Sequence, residues 1–266
     1  MASKLGIIAG GGDLPREIAR IQVNSGGECF IAALDPDSDF GEFSCQKFSL
    51  GSVGSVIDYF KSNSVENIIV IGGIKRPEFS SLKVDFAGAI LLAKILKNKV
   101  LGDDVLLKTV IDYIESKGLR VISPQEILKL SQYEDMSGSI FPSSSDNEDI
   151  DIGVKVMSSL GEMDVGQSVI VANGYVVGIE AAEGTDNLIK RCGDLRVQEK
   201  GGVLVKMSKI TQDMRVDVPV IGPNTISLLA KHGFNGVAIE KEGVIIINPK
   251  ETKILLEENN LFLKFI

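Results

Sequence analysis

Two acidic segments in the second half of the chain carry the residue types best suited to catalysis. The first, EAAEGTD, spans residues 180–186 and follows a β-rich run, so several oxygen ligands can converge where that strand ends. Hard cations such as Mg²⁺ prefer oxygen ligands of this kind. We therefore expect a metal or phosphate site formed by Glu180, Glu183, Thr185 and Asp186. The alternative is that Thr185 or Asp186 only caps the helix predicted to follow.

The second acidic segment, QDMRVD, contains Asp213, Arg215 and Asp217. Alternating charges of this kind also occur on surface strands. This segment, however, precedes a predicted helix that begins near Asn224 and Thr225, and a helix N-terminus can face an anion. Carboxylates beside an anion site suit metal-assisted phosphoryl chemistry, and Arg215 is a candidate electrostatic clamp.

A glycine run follows the first predicted strand. Gly10, Gly11 and Gly12, with Asp13 after them, lie between LGIIA and a helix that opens near Pro15, so this loop is a candidate for binding a phosphate. The dinucleotide fingerprint G-x-G-x-x-G fails, because Pro15 occupies the third glycine position. The loop therefore favours a phosphate ligand other than NAD, with a purely structural tight turn as the alternative.

Three charged residues follow predicted strands at the edge where parallel sheets bind ligands. Asp35 ends the second strand, where dinucleotide folds carry a ribose-binding acid, but it also suits a turn in LDPDSD. Lys75 and Arg76 come directly after a Gly-Gly pair and would supply positive charge to a phosphate. Solvated loop cations are the alternative for this pair.

Composition narrows the chemistry. The 266 residues include 28 Lys+Arg against 36 Asp+Glu, a net charge of -8, which argues against binding a nucleic-acid backbone. The single histidine, His232, excludes a His-rich zinc site, and its place at a predicted helix end explains it without catalysis. Three isolated cysteines and no signal peptide or membrane-spanning run indicate the cytoplasm, with surface attachment to a membrane left open.

The order of elements predicts an α/β fold in two domains. Residues 1–130 alternate strands with helices, which is typical of a Rossmann-like parallel sheet. Residues 131–150 have the composition of a linker. Residues 151–266 form a mixed α/β catalytic domain, in which Asn173-Gly174 predicts a β-hairpin.

One predicted helix is unusually apolar. Residues 85–101, DFAGAILLAKILKNKVL, are strongly apolar after the initial aspartate, with lysines at 94, 97 and 99 as interruptions. Such a helix is a candidate to line an apolar groove or to contact a membrane. A buried core helix or a dimer helix is the alternative, because apolar stripes usually indicate packing.

Several motifs together resemble the UDP-2,3-diacylglucosamine pyrophosphatase family of the LpxI type. They are KLGIIAGGGDLP, GGIKRPEF, GDDVLL, LGEMDVGQSVIVANGYVVGIEAAEGTDNLI and QDMRVDVPVIGPNTI, in this order along nearly the whole chain. The resemblance weakens across residues 131–150 and 193–203. This spread along the chain is far more specific than one glycine loop.

The resemblance implies a reaction and its requirements. Members of the family hydrolyse UDP-2,3-diacylglucosamine to UMP and 2,3-diacylglucosamine 1-phosphate (lipid X) in lipid A biosynthesis of Gram-negative bacteria, through attack of water on the α-phosphorus. It also implies Mg²⁺ or another divalent cation, two domains with the lipid between them, a homodimer, and contact with the inner membrane as an open question.

The resemblance also assigns roles. The aspartate of the family's R-V-D-[LV]-P segment falls on Asp217, which is expected to be essential for catalysis. Catalytic roles extend to Asp213, Arg215 and Glu183, and metal binding to Glu180, Glu183, Asp186 and Asp217. Gly10, Gly11, Gly12, Asp13, Lys75, Arg76, Thr185 and Thr225 are expected to bind substrate.

Two other functions stay open on the residues alone. A non-catalytic nucleotide- or lipid-binding module would use the glycine loop for its ligand and the carboxylates only as helix caps. An NAD-linked oxidoreductase is disfavoured by Pro15.

Overall fold

The computed structural model of the chain describes residues 3–74, 83–97, 103–128, 136, 140–161, 163, 165–195, 200–209, 213–215 and 218–266. The chain forms two compact units. Unit 1 comprises Met1–Lys129 together with Asp213–Asp217, and unit 2 comprises Leu130–Gln212 and Val218–Ile266. Helices accompany the sheet in each unit, which confirms the prediction of an α/β fold in two domains.

Unit 1 is built on a five-stranded sheet in which every strand pair is parallel. The strands are β1 (Lys4–Ala9), β2 (Glu28–Ala33), β3 (Cys45–Lys47), β4 (Asn67–Ile71) and β5 (Arg120–Val121). Their order is β3-β2-β1-β4-β5. The strand order therefore reverses between β1 and β4, which is where open α/β sheets bind ligands.

In the described part of unit 1, the α-helices beside this sheet are α1 (Leu14–Asn24), α2 (Val53–Ser62), α3 (Phe86–Lys97) and α4 (Asp103–Glu115). Asp85 precedes α3 and fixes its start. Its carboxylate accepts the backbone N–H of Gly88 at 2.7 Å and, with its other oxygen, that of Ser55 in α2 at 3.1 Å. This aspartate therefore caps one helix and ties it to its neighbour.

Unit 2 contains a mixed five-stranded sheet of order β12-β10-β8-β6-β7. The strands are β6 (Ser168–Ala172), β7 (Tyr175–Ile179), β8 (Val203–Lys206), β10 (Gly236–Ile239) and β12 (Phe262–Phe265); β9 (Val220–Ile221) and β11 (Ile245–Ile246) form a separate parallel pair. Strand β6 runs antiparallel to β7 and β8, whereas β8, β10 and β12 are parallel.

The helices of unit 2 are α5 (Ser144–Gly161), α6 (Thr185–Leu195), α7 (Pro223–Lys231) and α8 (Pro249–Glu258). Helix α5 begins inside the segment 131–150 that the composition assigned to a linker. The reason is a cap: the Ser143 hydroxyl accepts the N–H of Asp146, whose carboxylate accepts the N–H of Ser143. The Ser- and Asp-rich run is thus partly a helix start.

The predicted hairpin is present between β6 and β7. Asn173 and Gly174 have φ of 54° and 79°, as a two-residue turn of this type requires. The carboxylate of Asp149, buried on α5, accepts the N–H groups of both turn residues at 3.0 and 2.7 Å. This aspartate fixes the hairpin to the helix.

Across the described part of the chain, no helix combines the length and the apolar character needed to cross a bilayer.

Candidate active site

The glycine run has a packing role at its first two positions. The N–H of Gly10 donates to the Ile71 carbonyl, while Gly11 and Gly73 exchange N–H to carbonyl bonds of 2.8 and 2.9 Å. A Cβ on Gly10 would lie 2.6 Å from two carbonyl oxygens of the β4 loop. Only glycine allows the backbones to approach this closely.

These bonds change the interpretation of the loop as a phosphate cradle. The N–H groups of Gly10 and Gly11 are already engaged in these bonds, and the binding of substrate by these two residues stays a prediction. Gly12 and Asp13 remain exposed at the start of α1, with open space around the missing Cβ of Gly12. Open α/β sheets have a crevice where the strand order reverses. In this sheet, the Gly11–Gly73 backbone pair bridges that position.

Asp35 serves a turn beside this loop. One of its carboxylate oxygens accepts the N–H of Asp37 at 3.1 Å and the other the hydroxyl of Ser38 at 3.1 Å. A Cβ on Gly11 would lie 2.8 Å from the second oxygen. A carboxylate at this position disfavours a bound phosphate, so the turn-forming interpretation of Asp35 fits the geometry.

Unit 2 contains a buried polar network around the head of α6, formed by Ser168, Glu180, Thr185 and Lys206. Glu180 follows β7, and Thr185 is the first residue of α6. Ser168 and Lys206 lie opposite each other at the ends of β6 and β8. Glu180, Lys206 and Ser168 are buried, with relative exposures of 8%, 3% and 0%.

The atoms of this network contact one another directly. Lys206 Nζ donates to Thr185 Oγ1 at 2.6 Å and to Ser168 Oγ at 3.2 Å, and it lies 3.8 Å from Glu180 Oε2. Thr185 Oγ1 donates to the same Glu180 oxygen at 3.0 Å. Burying a charged side chain costs several kcal/mol unless it is paired, so these contacts are what keep Lys206 in the interior.

The network also lies at the positive end of a helix. The first N–H groups of an α-helix have no partner within the helix, and their dipoles sum to a partial positive charge. Thr185 therefore combines a hydroxyl fixed by Lys206 and Glu180 with the start of α6. The lysine and the helix start favour an anionic group such as a phosphate, while the Glu180 carboxylate balances the lysine charge.

The other two carboxylates of the segment have separate partners. Glu183 forms a 2.7 Å ion pair with Arg191 and also accepts the N–H of Ala181. The hydrogen bond from Arg191 holds the pKa of Glu183 below its usual value. Asp186 accepts the side-chain amide of Asn224, from the first turn of α7, at 2.6 Å.

Asp213 and Arg215 belong to unit 1. Arg215 forms a two-pronged ion pair with Asp213 and a further 3.1 Å bond to Glu115 at the end of α4. The Ser123 hydroxyl donates to the backbone carbonyl of Met214. Arg215 lowers the pKa of Asp213, and hydrogen bonding to Asp213 raises the pKa of Arg215.

Two further residues lie on α7 or directly after it. Thr225 is buried in the first turn of α7. His232 follows the last residue of α7, and a Cβ on Gly193 of α6 would lie 2.1 Å from its Nδ1 atom. The histidine thus packs on the neighbouring helix. Lys75, Arg76 and Asp217 lie outside the described residues.

Comparison with known proteins decides the family. The LpxI N-terminal domain matches residues 4–130 and the LpxI C-terminal domain matches residues 134–264. The chain belongs to the LpxI family. The UDP-2,3-diacylglucosamine pyrophosphatase LpxI of Caulobacter vibrioides is 30% identical over 271 residues, which cover 97% of this chain and 96% of that protein.

A solved structure, CobK precorrin-6A reductase, aligns with all of this LpxI-family chain and 88% of its own, at 12% identity and a TM-score of 0.26. This similarity is too low to support an argument.

Three of the four carboxylates assigned to Mg²⁺ have partners within the protein, and the fourth, Asp217, lies outside the described residues. Glu180 is paired with Lys206 and Thr185, Glu183 with Arg191, and Asp186 with Asn224. Within the described ranges, no group of three or more His, Cys, Asp or Glu side chains could hold a metal ion. These three carboxylates are instead neutralised or bonded by residues of unit 2.

The sequence analysis missed Ser168, Lys206 and Glu115. Lys206 had a recognisable signal, because it ends the apolar run GVLVK, where an exposed cation is not expected. Glu115 and Ser168 carried no such signal, since each looks like an ordinary polar residue at the end of an element.

Proposed function

We propose that this chain hydrolyses the pyrophosphate of UDP-2,3-diacylglucosamine, releasing UMP and lipid X in lipid A biosynthesis. The observation that carries the proposal is the match to the named pyrophosphatase along almost the full length of both chains. The buried polar network supports it, because a lysine and a helix start converge on one hydroxyl where a phosphate can bind.

In the proposed mechanism, α6 holds the substrate pyrophosphate at its first turn. Lys206 fixes the Thr185 hydroxyl and adds positive potential, while Glu180 accepts the proton of that hydroxyl and keeps its orientation constant. Electrostatic groups that are already oriented stabilise charge that develops on phosphoryl oxygens without reorganising. Asp217, carried over from the family motif, is proposed to orient the attacking water.

Arg215 has a different part in this proposal from the clamp that the sequence suggested. Its guanidinium is bonded to Asp213 and Glu115, so it anchors the segment in unit 1 that leads to Asp217. We propose that Asp213 and Arg215 position this segment rather than contact the substrate.

A divalent cation remains part of the proposal through the family resemblance. Mg²⁺ supplies charge neutralisation of phosphoryl oxygens when it is bound. Three of its proposed ligands, Glu180, Glu183 and Asp186, are bonded to other residues of this chain, so no step is assigned to it. Turnover should disappear with EDTA and return with added Mg²⁺; turnover in EDTA at the full rate would remove the requirement.

The cytoplasm, the inner-membrane surface and a homodimer complete the proposal. The homodimer follows from the resemblance, the cytoplasm from the three isolated cysteines, and the membrane surface from the two acyl chains of the proposed substrate. Light scattering of the purified chain should give twice the 28.6 kDa protomer mass. A monomer at micromolar concentration would contradict the dimer.

The decisive experiment follows the phosphorus that water attacks. Purified protein is incubated with detergent-dispersed UDP-2,3-diacylglucosamine in H₂¹⁸O, and the products are analysed by mass spectrometry. Attack on the α-phosphorus puts the label into UMP, whereas label in lipid X would contradict that mechanism. No UMP from folded protein would instead favour a non-catalytic binding module.

A matched pair of variants tests the role of Asp217. Asp217→Asn should abolish the release of UMP, whereas Asp58→Asn, which alters an exposed aspartate on α2, should leave it unchanged. Undiminished release by Asp217→Asn would refute the catalytic assignment.

A further inference from the structure

Helix α3 exposes an apolar stripe on the surface of unit 1. Its exposed residues before the first lysine are Phe86, Ala89, Ile90 and Ala93, a spacing of i, i+3, i+4 and i+7 that places them on one face. Phe86 is 85% exposed and Ile90 is 37% exposed. Large apolar side chains grouped on one exposed face usually mark an interaction site.

The opposite face of α3 is fixed in the core of unit 1. Leu91 and Ile95 are buried in its hydrophobic cluster. A Cβ on Gly88 would lie 2.2 Å from the Gly51 carbonyl oxygen, so the helix is packed closely against its neighbour. Asp85 bonds both α3 and α2 and so fixes α3 against its neighbour. The stripe therefore stays on the outer face of α3.

The charge around the stripe selects the partner. Residues 86–102 contain three lysines and no acidic residue, in a chain whose net charge is -8. Lys94 is exposed, continues the stripe one turn beyond Ile90, and has its Nζ 5.4 Å from the centre of the Tyr113 ring. An apolar face that ends at an exposed lysine fits the boundary between headgroups and acyl chains in an anionic membrane.

We propose that the α3 stripe docks this protein on an anionic lipid bilayer. The inference rests on the proposed function, because a substrate with two acyl chains resides in a membrane and the enzyme must reach it there. Phe86 and Ile90 enter the acyl boundary, and Lys94 lies at the level of the headgroups. A groove for the substrate's acyl chains and a second copy of the chain are the competing occupants.

Vesicle sedimentation of the full chain tests the docking. The vesicles contain either phosphatidylethanolamine with phosphatidylglycerol or phosphatidylcholine alone. Phe86→Ser/Ile90→Ser should weaken binding to the anionic vesicles by about tenfold, and Lys94→Gln by about fivefold. Ile254→Ser, at a 53% exposed isoleucine on α8, is the matched control and should bind like the wild type. Equal binding by all variants would overturn the proposal.

The single variant Phe86→Ser is a control for misfolding, because the Phe86 side chain is almost fully exposed and its loss should not disturb the fold. It should reduce vesicle binding by a few fold while the thermal midpoint stays unchanged. A change in the mass of the purified variant by light scattering would show that the stripe covers a second copy, and would also overturn the proposal.

Activity separates the lipid surface from an acyl groove. With substrate in detergent micelles the double variant should turn over within about twofold of the wild type, and with substrate in vesicles its rate should fall with its binding. Equal losses in both forms would assign the stripe to the acyl groove instead. If wild-type protein shows no turnover in either form, the proposed function fails, and the sedimentation result still decides the docking.

Discussion

The two acidic segments pair with their cationic side chains in different environments, one buried and one partly exposed. In EAAEGTD, the buried Lys206 reaches Glu180 through a shared threonine hydroxyl, and both charges are almost excluded from solvent. In the segment that begins at Asp213, Arg215 bonds two carboxylates directly and keeps about a third of its side chain exposed. Similar residue types thus form a buried network in unit 2. In unit 1 they form partly exposed ion pairs, whose attraction is screened by solvent.

This difference sets the size of the expected energies. Removing one partner of a buried ion pair costs about 3–5 kcal/mol, because the other charge is left unpaired in the interior. Removing one partner of an exposed pair costs about 0–1 kcal/mol. Substitutions in the two segments therefore separate a network that determines stability from contacts that only position a loop.

Lys206→Met should have the largest effect. It leaves Glu180 buried without its cation, so the free energy of unfolding should fall by about 3–5 kcal/mol in urea denaturation. Glu180→Gln/Lys206→Met should be less destabilised than the sum of the single variants, because no charge is then left unpaired. Additive losses would show that the two residues are not coupled. Lys264→Met removes a lysine that bonds the Asn147 amide, and should cost about 1 kcal/mol.

Thr185→Val should have the next largest effect. The variant keeps the shape of the side chain but removes the hydroxyl between Lys206 and Glu180, at a cost of about 1–3 kcal/mol in stability. We also expect kcat to fall by about tenfold or more, since the head of α6 loses an oriented group. Thr185→Ser should restore most of kcat. A serine variant as poor as the valine variant would argue that only packing matters here.

Asp213→Asn should have a smaller effect that depends on pH. Arg215 lowers the pKa of Asp213 in the folded state, so this ion pair stabilises the protein above the usual aspartate pKa of about 3.9, and the contribution is lost as the pH falls through the lower folded pKa. At pH 7 the variant should be less stable by about 1 kcal/mol or less. Urea midpoints of wild type and variant should converge below about pH 3; a constant gap would contradict the ion pair.

Glu183→Gln should have the smallest effect. Because its ion pair with Arg191 is partly exposed, the loss of stability should stay below about 0.5 kcal/mol. The Mg²⁺ concentration that gives half-maximal activity should stay within about twofold of the wild-type value. A shift of tenfold or more would place Glu183 at a metal ion and contradict its purely structural pairing.

Much of the fold was predictable because its signals are local. Alternating apolar runs located β1, β2, β4 and β8, and Asn173-Gly174 located the hairpin turn. The sequence analysis missed β3 at Cys45–Lys47 and β12 at Phe262–Phe265, both edge strands of their sheets. Strand β3 has three residues and is mostly exposed, so its apolar pattern is weak and only the neighbouring strand defines it. Strand β12 is apolar and begins with two buried residues, so its sequence did carry a strand signal.

The candidate site was less predictable, because its contacts join distant positions. Lys206 meets Thr185 across 21 residues, and Arg215 meets Glu115 across 100. In the glycine loop, by contrast, the local pattern was clear. It is typical of phosphate binding, but Gly10 and Gly11 form backbone hydrogen bonds to the end of β4 and to the loop after it. A motif indicates what a backbone can do, and the partner that occupies it depends on the tertiary fold.

The discontinuity of unit 1 bears on how such a chain can be rearranged. The five residues Asp213–Asp217 belong to unit 1, whose other residues end at Lys129. Consider a hybrid protein whose residues up to 130 come from one family member and whose remaining residues come from another. In this hybrid, Glu115 and Arg215 would come from different parents. Genetic exchange at the sequence boundary between the two halves would therefore break an inherited pairing, whereas exchange that carries residues 213–217 along with the first half would preserve it.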